Sequence, residues 1–406
     1  MLDSIVDSVW IRQVLRRHLE DNGRPVVDII VRPFCGGSGF ASELYEALTQ
    51  DAPLIVKLLP RTPRGTYRNL QQQYLNERHF YEEVLPHLVS VAGAHSIVEQ
   101  LFPAFVCAHQ DDFNTLIAVE DLRPLGFSHA GGPLDETHVT LALRELGRFH
   151  ALSYVAKKID GASFLKIVNS VRQPRTEEIC IEISPMIKDF LGFAAESFRR
   201  FYPIDSEKFS GKLEGLADLA DMFGKLTEPE EPLAVCCHGD FHRNNILFKY
   251  DTDGKPTSAR FIDFQLKTYS SPAVDISLVM FLSSSPEVWE LSWDELLGVY
   301  RFSVLDSMAG ILGRPREVVE VDYSVKGLQE DFRRYCVHGF LVAVFFLPVA
   351  MLEPRHYELV RQHVPGDVTT PDNSKKFASL VRRYCSEKVK RRLATLLKHM
   401  MERDFI

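Results

Sequence analysis

The segments HGDFHRNN (His238–Asn245) and IDFQ (Ile262–Gln265) decide the fold of this 406-residue chain. Short apolar runs surround them: LAVCC precedes the first segment, and ILFKY and ARF lie between the two. Asp253-Gly254, between the last two runs, is typical of a tight turn that joins two strands. The two segments therefore predict a small group of strands, closed by a hairpin, within a region whose remaining sequence has helical periodicity.

The acidic and amide residues of these segments have a regular spacing. Asp240 is followed five residues later by Asn245, and Asp263 comes after the hairpin. This is the layout of protein-kinase-like phosphotransferases, which use a base, a metal-binding amide and a metal-binding carboxylate in this order. Taken alone, the pattern is equally compatible with a polar loop in which Asp and Asn form turns.

Two charged residues in the first third of the chain lie in apolar surroundings. Lys57 is in the strand-like run LIVKLL (Leu54–Leu59), and Glu77 is on the inward face of a helix predicted over Asn69–Leu88. A solvated lysine at a sheet edge is the simpler interpretation of Lys57. A strand lysine paired with a helix glutamate is, however, the arrangement that holds the α- and β-phosphates of ATP in kinases. We therefore expect Lys57 and Glu77 to contact each other.

Two further segments are compatible with nucleotide binding. In CGGSGFASEL, Gly37, Ser38 and Gly39 could close over phosphates, because glycines let backbone N–H groups approach oxygen atoms. Glu120 and Leu122 follow an apolar strand at the place where a kinase hinge offers backbone groups to adenine. An ordinary glycine turn and a capped connector are the alternative interpretations of these two segments.

The hydrophobic periodicity changes near residue 122, where Pro124 and Gly126 interrupt the pattern. Beyond this point, Asp135 can cap a helix that extends to about Lys157, and helices predominate to the end. We predict an α+β, bilobal, protein-kinase-like fold, with a β-rich nucleotide-binding lobe (1–122) and a mostly helical catalytic and acceptor-binding lobe (123–406). The strands predicted in the first lobe are Pro25–Phe34, Leu54–Leu59, Ala104–Ala108 and Thr115–Val119.

The composition favours a cytoplasmic protein with a small-molecule partner. The net charge of −8 does not favour binding to nucleic acid or to an anionic membrane, because both are negatively charged. The longest apolar run, Phe340–Leu352, is shorter than the about 20 residues that a bilayer requires, and Pro348 interrupts it. The N-terminal MLDSIVDSVW does not resemble a signal peptide. Seven scattered cysteines without a CxxC pair are typical of reduced thiols, and the oligomeric state is left open.

The chain resembles the ecdysteroid kinase-like family, also called CHK kinase-like, of arthropods and nematodes, which is related to choline kinases and aminoglycoside phosphotransferases. The resemblance spans roughly residues 30–350, in the family's order. The segments that carry it are LIVKLLP (Leu54–Pro60), ERHFYEEVLP (Glu77–Pro86), VEDLRPLGF (Val119–Phe127), LGRFHALSY (Leu146–Tyr154), CHGDFHRNNILFKYDTDGKP (Cys237–Pro256) and FIDFQLKTYSSPAVDISLVMF (Phe261–Phe281).

The resemblance implies phosphorylation of a small-molecule hydroxyl by ATP and Mg²⁺, with ecdysteroid-like alcohols as acceptors. It implies that Asp240 is the catalytic base and that Asn245 and Asp263 bind magnesium. Lys57, held by Glu77, would contact the phosphates.

Two more residues of the resemblance concern the catalytic loop. Asp275 would brace this loop without reacting. His242 is a departure, because the family more often has tryptophan at this position, and local contacts with the acceptor are therefore in doubt. His150, in LGRFHALSY, is predicted to be a packed, hydrogen-bonded core histidine.

Two alternatives to a steroid-type kinase stay open at this point. A choline or ethanolamine kinase requires an aromatic cage, whereas a steroid requires a broad apolar cleft, and 27 Phe and 13 Tyr do not decide between them. A nucleotide-binding pseudokinase is the second alternative. It is disfavoured because all five functional positions carry the expected residue types.

Overall fold

The computed structural model describes residues 2–23, 28–34, 43–50, 52–59, 70–111, 114–171, 177–320, 325–364, 366, 368 and 370–406. These residues form a β-sheet region followed by a mainly helical region. The predicted α+β architecture, with a β-rich N-terminal region and a mostly helical C-terminal region, is confirmed.

The N-terminal region contains a five-stranded antiparallel sheet in the order β1-β2-β3-β5-β4. Its strands are β1 (Ile30–Pro33), β2 (Glu43–Leu48), β3 (Pro53–Leu58), β4 (Phe105–Gln110) and β5 (Thr115–Glu120). In β3, Leu54, Val56 and Leu58 are buried on one face, which places Lys57 on the other face, since successive strand residues alternate. The sheet thus determines which way Lys57 points.

Strand β2 is absent from the strands that were predicted from the sequence, and its presence is a correction. Glu43 and Glu46 interrupt the apolar pattern that a strand is expected to have. Glu46 is nevertheless buried, because Arg32 Nε lies 2.6 Å from its Oε2 and Arg123 also pairs with it. Two arginines from other segments therefore compensate a charge that the local pattern does not accommodate.

Helices cover both faces of this sheet, so the prediction of a mostly stranded first third is incomplete. Helix α1 (Leu2–Asp21) packs Ile11, Leu15 and Leu19 against the sheet. The predicted helix over Asn69–Leu88 is present as α2 (Leu70–His79), a π-helical turn (Phe80–Val84) and α3 (Leu85–Ala92), and a short α4 (His95–Leu101) follows.

The predicted island of strands is present after the connector. A 3-10 turn (Arg123–Leu125) leads to β6 (Phe127–Ser128), which pairs with β8 (Ile246–Tyr250), and β8 forms a hairpin with β9 (Pro256–Phe261). A second small sheet joins β7 (Val235–Cys237) to β10 (Thr268–Ser270). The two small sheets place the HGDFHRNN loop beside the residues that follow β9.

The remaining elements are helical. Asp135 caps α5 (Glu136–Val168) as predicted, by accepting a hydrogen bond of 3.0 Å from His138 N, and the helix continues past Lys157 with a kink at Asp160. The other helical elements are α6 (Glu177–Phe201), α7 (Pro203–Lys208), α8 (Ser210–Glu214), a 3-10 segment (Leu216–Thr227), α9 (Ala273–Leu278) with its π-helical continuation (Val279–Ser283), α10 (Pro286–Leu291), α11 (Trp293–Leu312), α12 (Arg316–Glu320), α13 (Val325–Tyr335), α14 (Val337–Ala350), α15 (Pro354–His363), α16 (Pro371–Tyr384) and α17 (Glu387–Glu402).

One helical stretch in the described residues, Gly327–Ala350, has the length and apolar composition that could cross a membrane. In its most apolar window, 72% of the residues are buried inside the protein. Burial of this kind is what a core helix shows, so the stretch is weak evidence for a membrane span.

Candidate active site

Lys57 lies at the centre of a three-residue ion cluster. On β3 it is opposite Leu44 of β2 and Ile117 of β5. Its Nζ is 2.8 Å from Glu77 Oε1, 2.9 Å from Glu77 Oε2 and 3.0 Å from Asp263 Oδ1. Burial alone lowers the pKa of Lys57, but the Asp263 and Glu77 carboxylates raise it above its ordinary value. Lys57 therefore carries a positive charge, and its predicted contact with Glu77 is present.

The helix that carries Glu77 is attached to the turn that follows Asp263. Asn76 Nδ2 donates hydrogen bonds of 3.0 Å to the Gln265 carbonyl and 2.8 Å to the Lys267 carbonyl. The rings of Phe80 and Phe264 stack with centroids 3.7 Å apart. Because these contacts come from the same helical segment, the position of Glu77 is coupled to that of Asp263.

Asp263 has an uncommon backbone conformation. Its φ of 72° and ψ of 66° place it in the left-handed region, at the start of the 3-10 turn Phe264–Leu266. Such a conformation costs about 1–3 kcal/mol in a residue other than glycine, although Asp tolerates it better than most. The conformation turns the chain out of β9 and directs the Asp263 carboxylate towards Lys57.

The loop that carries Asp240 is fixed through its backbone. The N–H groups of His238 and Gly239 donate to the Asp275 carboxylate at 2.6 and 2.8 Å. Gly239 has a φ of 80°, and a Cβ at this position would lie 1.8 Å from the Leu266 carbonyl oxygen, so only glycine fits. The contact between Asp275 and the loop that the resemblance implies is therefore present.

The imidazole of His238 connects this loop to the strand that leads to Asp263. Its Nε2 is 2.9 Å from the Ile262 carbonyl, and its Nδ1 is 3.3 Å from Asp240 N. Burial holds the pKa of His238 below its ordinary value. The ring is therefore neutral at physiological pH, with Nε2–H as donor and Nδ1 as acceptor.

Asn245 contacts Asp240 directly. The side-chain Nδ2 of Asn245 donates hydrogen bonds of 2.9 Å to the Asp240 backbone carbonyl and 3.3 Å to Asp240 Oδ2. The backbone carbonyl of Asn245 accepts a hydrogen bond of 3.1 Å from Ile262 N. The amide nitrogen is used in these contacts, which leaves the amide oxygen as the atom suited to a cation. This amide oxygen and the Asp263 carboxylate are both oxygen donors, the type of ligand that Mg²⁺ prefers.

His242 also contacts the predicted base. Its Nε2 is 3.4 Å from Asp240 Oδ2, and its Nδ1 accepts a hydrogen bond of 3.2 Å from Asn244 N. Burial lowers the pKa of His242, but the Asp240 carboxylate outweighs this effect, and the pKa is above its ordinary value. The residue that departs from the family pattern is therefore a hydrogen-bonding neighbour of Asp240.

The predicted hinge residues lie at the junction of the two regions. Glu120 N donates to the Ala104 carbonyl at 2.9 Å, and the Glu120 carboxylate contacts Arg260 at 3.3 Å. Leu122 N–H donates no hydrogen bond to another described residue. The Leu122 side chain forms a small apolar cluster with Phe127, Leu247 and partly buried Ile262. Gly37, Ser38 and Gly39 lie outside the described residues.

One polar cluster of this region was not predicted from the sequence. It is formed by Asn76, His79 and Lys267. Lys267 is 1% exposed and its Nζ is 3.2 Å from His79 Nδ1. Burial lowers the pKa of Lys267 and, with the Lys267 charge, lowers that of His79 to about 4. These contacts join residues 188 to 191 positions apart. No local sequence signal reveals such a contact.

The cluster of Lys57, Glu77 and Asp263 lies beside a braced loop that carries Asp240 and Asn245, and these are the residue types that kinase-like phosphotransferases use. The family model of the ecdysteroid kinase-like family matches residues 41–313, roughly two thirds of the chain. The chain belongs to this family, which confirms the resemblance noted in its sequence. No curated protein matches the sequence.

Several solved structures are similar to this chain over most of its length. Spectinomycin phosphotransferase in complex with ADP and spectinomycin is 14% identical, with 94% of this chain and 96% of that chain covered and a TM-score of 0.44. A putative aminoglycoside phosphotransferase from Ralstonia eutropha is 13% identical, with 96% and 97% covered and a TM-score of 0.44. Plasmodium vivax ethanolamine kinase is 13% identical, with 93% and 83% covered and a TM-score of 0.38.

Proposed function

We propose that the protein transfers the γ-phosphoryl group of ATP to a hydroxyl group of a small molecule, with Mg²⁺ as cofactor. The observation that carries this proposal is the Lys57 ammonium, held within 3.0 Å of both Glu77 and Asp263, next to the contact between Asn245 and Asp240. These contacts support the proposal, because phosphoryl transfer requires a cation at the phosphates, oxygen donors for a metal and a group that orients the acceptor hydroxyl.

Lys57 binds the phosphates of the nucleotide in this proposal. Glu77 is 4% exposed and holds the ammonium through both carboxylate oxygens. A phosphate oxygen would contact the Lys57 ammonium while Glu77 keeps Lys57 in position. Asp263 and the amide oxygen of Asn245 would hold Mg²⁺. Bound Mg²⁺ supplies charge neutralisation at the phosphate oxygens.

Asp240 is the proposed catalytic base, which orients the acceptor hydroxyl and accepts its proton. Asn245 Nδ2 and His242 Nε2 both lie beside Asp240 Oδ2, at 3.3 and 3.4 Å. These two contacts fix the rotation of the carboxylate. A fixed carboxylate supports in-line attack, because catalysis of this kind depends on positioning.

Residues 1–122 form the proposed nucleotide-binding lobe, and residues 123–406 the catalytic and acceptor-binding lobe. The Glu120 carbonyl and the Leu122 N–H are proposed to bind the adenine edge, and the apolar cluster of Leu122, Phe127, Leu247 and Ile262 its face. Gly37, Ser38 and Gly39 are proposed to cover the phosphates.

The acceptor is proposed to be an ecdysteroid-like alcohol, and the support for this substrate is family membership. A cytoplasmic location is proposed because the five cysteines that the structure describes at side-chain level are free and buried: Cys107, Cys236, Cys237, Cys336 and Cys385.

The test is transfer of labelled phosphate from ATP to a mixed library of hydroxysteroids, amino alcohols and aminoglycosides, read by mass spectrometry. Phosphorylation of a hydroxysteroid that is lost in Asp240→Asn supports the proposal. Asp253→Asn, an exposed turn residue of the neighbouring hairpin, is the matched control and keeps wild-type turnover. Phosphorylation of choline or ethanolamine alone identifies the other acceptor class. Nucleotide binding without any transfer, under all conditions, contradicts the proposed activity.

A further inference from the structure

Helices α5 and α11 approach each other closely near the catalytic loop. A Cβ on Gly147 would lie 2.8 Å from both Ser303 Cβ and the Tyr300 carbonyl oxygen, so glycine is required for this contact. Ser303 Oγ also donates a hydrogen bond to the Arg144 carbonyl across the same interface. The close approach places the Tyr300 side chain of α11 against α5, where it meets His150, about one turn after Gly147.

Tyr300 and His150 begin a chain of hydrogen bonds that continues to the catalytic loop. The Tyr300 hydroxyl is 2.9 Å from His150 Nδ1, and His150 Nε2 is 3.2 Å from Asp275 Oδ2. All three residues are fully buried. Because the Asp275 carboxylate already accepts two backbone N–H groups, His150 donates from Nε2. The Tyr300 hydroxyl at Nδ1 orients the ring so that Nε2 faces Asp275.

Cys237 lies in the same buried group, and its Sγ, His150 and Asp275 are close enough together to ligate a metal. Each of these groups, however, has hydrogen-bond partners in the protein. Cys237 Sγ is 3.2 Å from the Ser271 carbonyl, and Asp275 and His150 are engaged as described. The group is therefore satisfied as a hydrogen-bond network, and its role concerns the loop that Asp275 holds.

We propose that His150 is a positioning residue of the catalytic loop, with Tyr300 as its orienting partner. The inference rests on the proposed phosphotransfer. His150 keeps the Asp275 carboxylate aimed at the N–H groups of His238 and Gly239, and these residues directly precede Asp240. Movement of Asp275 would shift the base, whereas Lys57 and Glu77, which lie on β3 and α2, would keep their mutual contact.

The experiment compares His150→Gln with His150→Asn in the 406-residue chain. A glutamine amide reaches the position of imidazole Nε2 and can donate to Asp275, whereas an asparagine amide reaches only that of Nδ1. We expect His150→Asn and His150→Phe to lower kcat by about tenfold to a hundredfold, the equivalent of a hydrogen bond to a charged group, with KM for ATP unchanged. His150→Gln restores most of kcat. Tyr300→Phe has a smaller effect, which is not additive with that of His150→Phe.

A second measurement does not depend on turnover. Hydrogen exchange, followed by mass spectrometry on peptides that cover His238 and Gly239, becomes faster in His150→Phe than in the wild type. His399→Gln is the matched control, because His399 is a buried histidine on α17 that packs on Trp289 and Trp293. It lowers thermal stability but leaves kcat and the exchange of the loop unchanged.

The outcomes separate the two proposals. Unchanged loop exchange in His150→Phe overturns the positioning role, whether or not turnover is detected. Equal kcat for His150→Gln and His150→Asn overturns it as well. If the wild type phosphorylates no acceptor, the proposed function fails, and loop exchange alone decides the role of His150.

Discussion

Removal of the Lys57 charge tests the ion cluster most directly. In Lys57→Met, Glu77 loses an ion-pair partner at 2.8 Å and Asp263 loses one at 3.0 Å. Because the Glu77 side chain is only 5% exposed, water cannot replace the lost partner fully. Breaking a buried ion pair by removing one partner costs about 3–5 kcal/mol. Because Lys57 itself retains 19% exposure, we expect a loss of about 3 kcal/mol in the free energy of unfolding near neutral pH.

The pH dependence of this loss has a definite sign. Burial raises the pKa of Glu77, and Lys57 opposes this increase, so removal of Lys57 raises the pKa of Glu77 further. A carboxyl whose pKa is raised in the folded state stabilises the fold fully below its unfolded pKa of about 4.5, and this contribution is lost as the pH rises through the folded pKa. The deficit of Lys57→Met relative to the wild type is therefore largest at about pH 8 and smaller at about pH 5.5.

The assay is urea denaturation followed by circular dichroism at both pH values, with phosphoryl transfer measured in parallel. Lys255→Met, an exposed lysine of the hairpin turn, is the matched control and leaves stability and turnover unchanged. Glu77→Gln combined with Lys57→Met costs less than the sum of the single variants by at least about 1 kcal/mol, because the pair acts as one unit. Additive losses, or a deficit that does not depend on pH, would refute the reasoning.

Three further predictions concern the loop and the turn. Asp263→Asn keeps a residue type that tolerates the left-handed conformation but removes the carboxylate charge. We expect turnover to fall more than about a hundredfold while the circular dichroism spectrum is unchanged. Wild-type turnover would contradict the metal assignment. Gly239→Ala places a Cβ 1.8 Å from the Leu266 carbonyl oxygen at a residue with a φ of 80°. We expect this variant to lose about 3 kcal/mol or more of unfolding free energy in urea denaturation. The control Gly254→Ala, in an open turn with a φ of 76°, loses only about 1 kcal/mol. Asn76→Ala removes two hydrogen bonds to the turn after Asp263. We expect the free energy of unfolding to fall by about 1–3 kcal/mol and turnover to decrease. Unchanged turnover would show that the position of Glu77 does not depend on this attachment.

The parts of the structure that were predicted correctly depend on local information. The alternation in LIVKLL, the cap at Asp135 and the Asp253-Gly254 turn involve residues a few positions apart, and each element is present. The spacing of Asp240 and Asn245 likewise reflects one loop. The contact between Lys57 and Glu77 was predicted because each charge lacks a partner within its own element.

The parts that sequence reasoning missed depend on partners far apart in the chain. Strand β2 was not predicted, because Glu46 is tolerated through Arg32 and Arg123, which are 14 and 77 positions away. Asn76 reaches the Lys267 carbonyl across 191 positions. For both residues, a local pattern predicts solvent exposure, whereas the folded chain buries them and supplies the compensating charge or hydrogen bond.

The sequence by itself determined those strands and helices that have a clear local period, and the residue types at the proposed base, metal and lysine positions, since these follow from periodicity and spacing. Only the tertiary structure decided which carboxylates share the Lys57 charge and which contacts join Tyr300, His150 and Asp275 to the loop that carries Asp240. His150 was correctly predicted as a buried, hydrogen-bonded histidine, but its partners lie 125 and 150 positions away. Burial makes an unpaired polar group costly, so a partner must exist, but the folding of the whole chain selects which one.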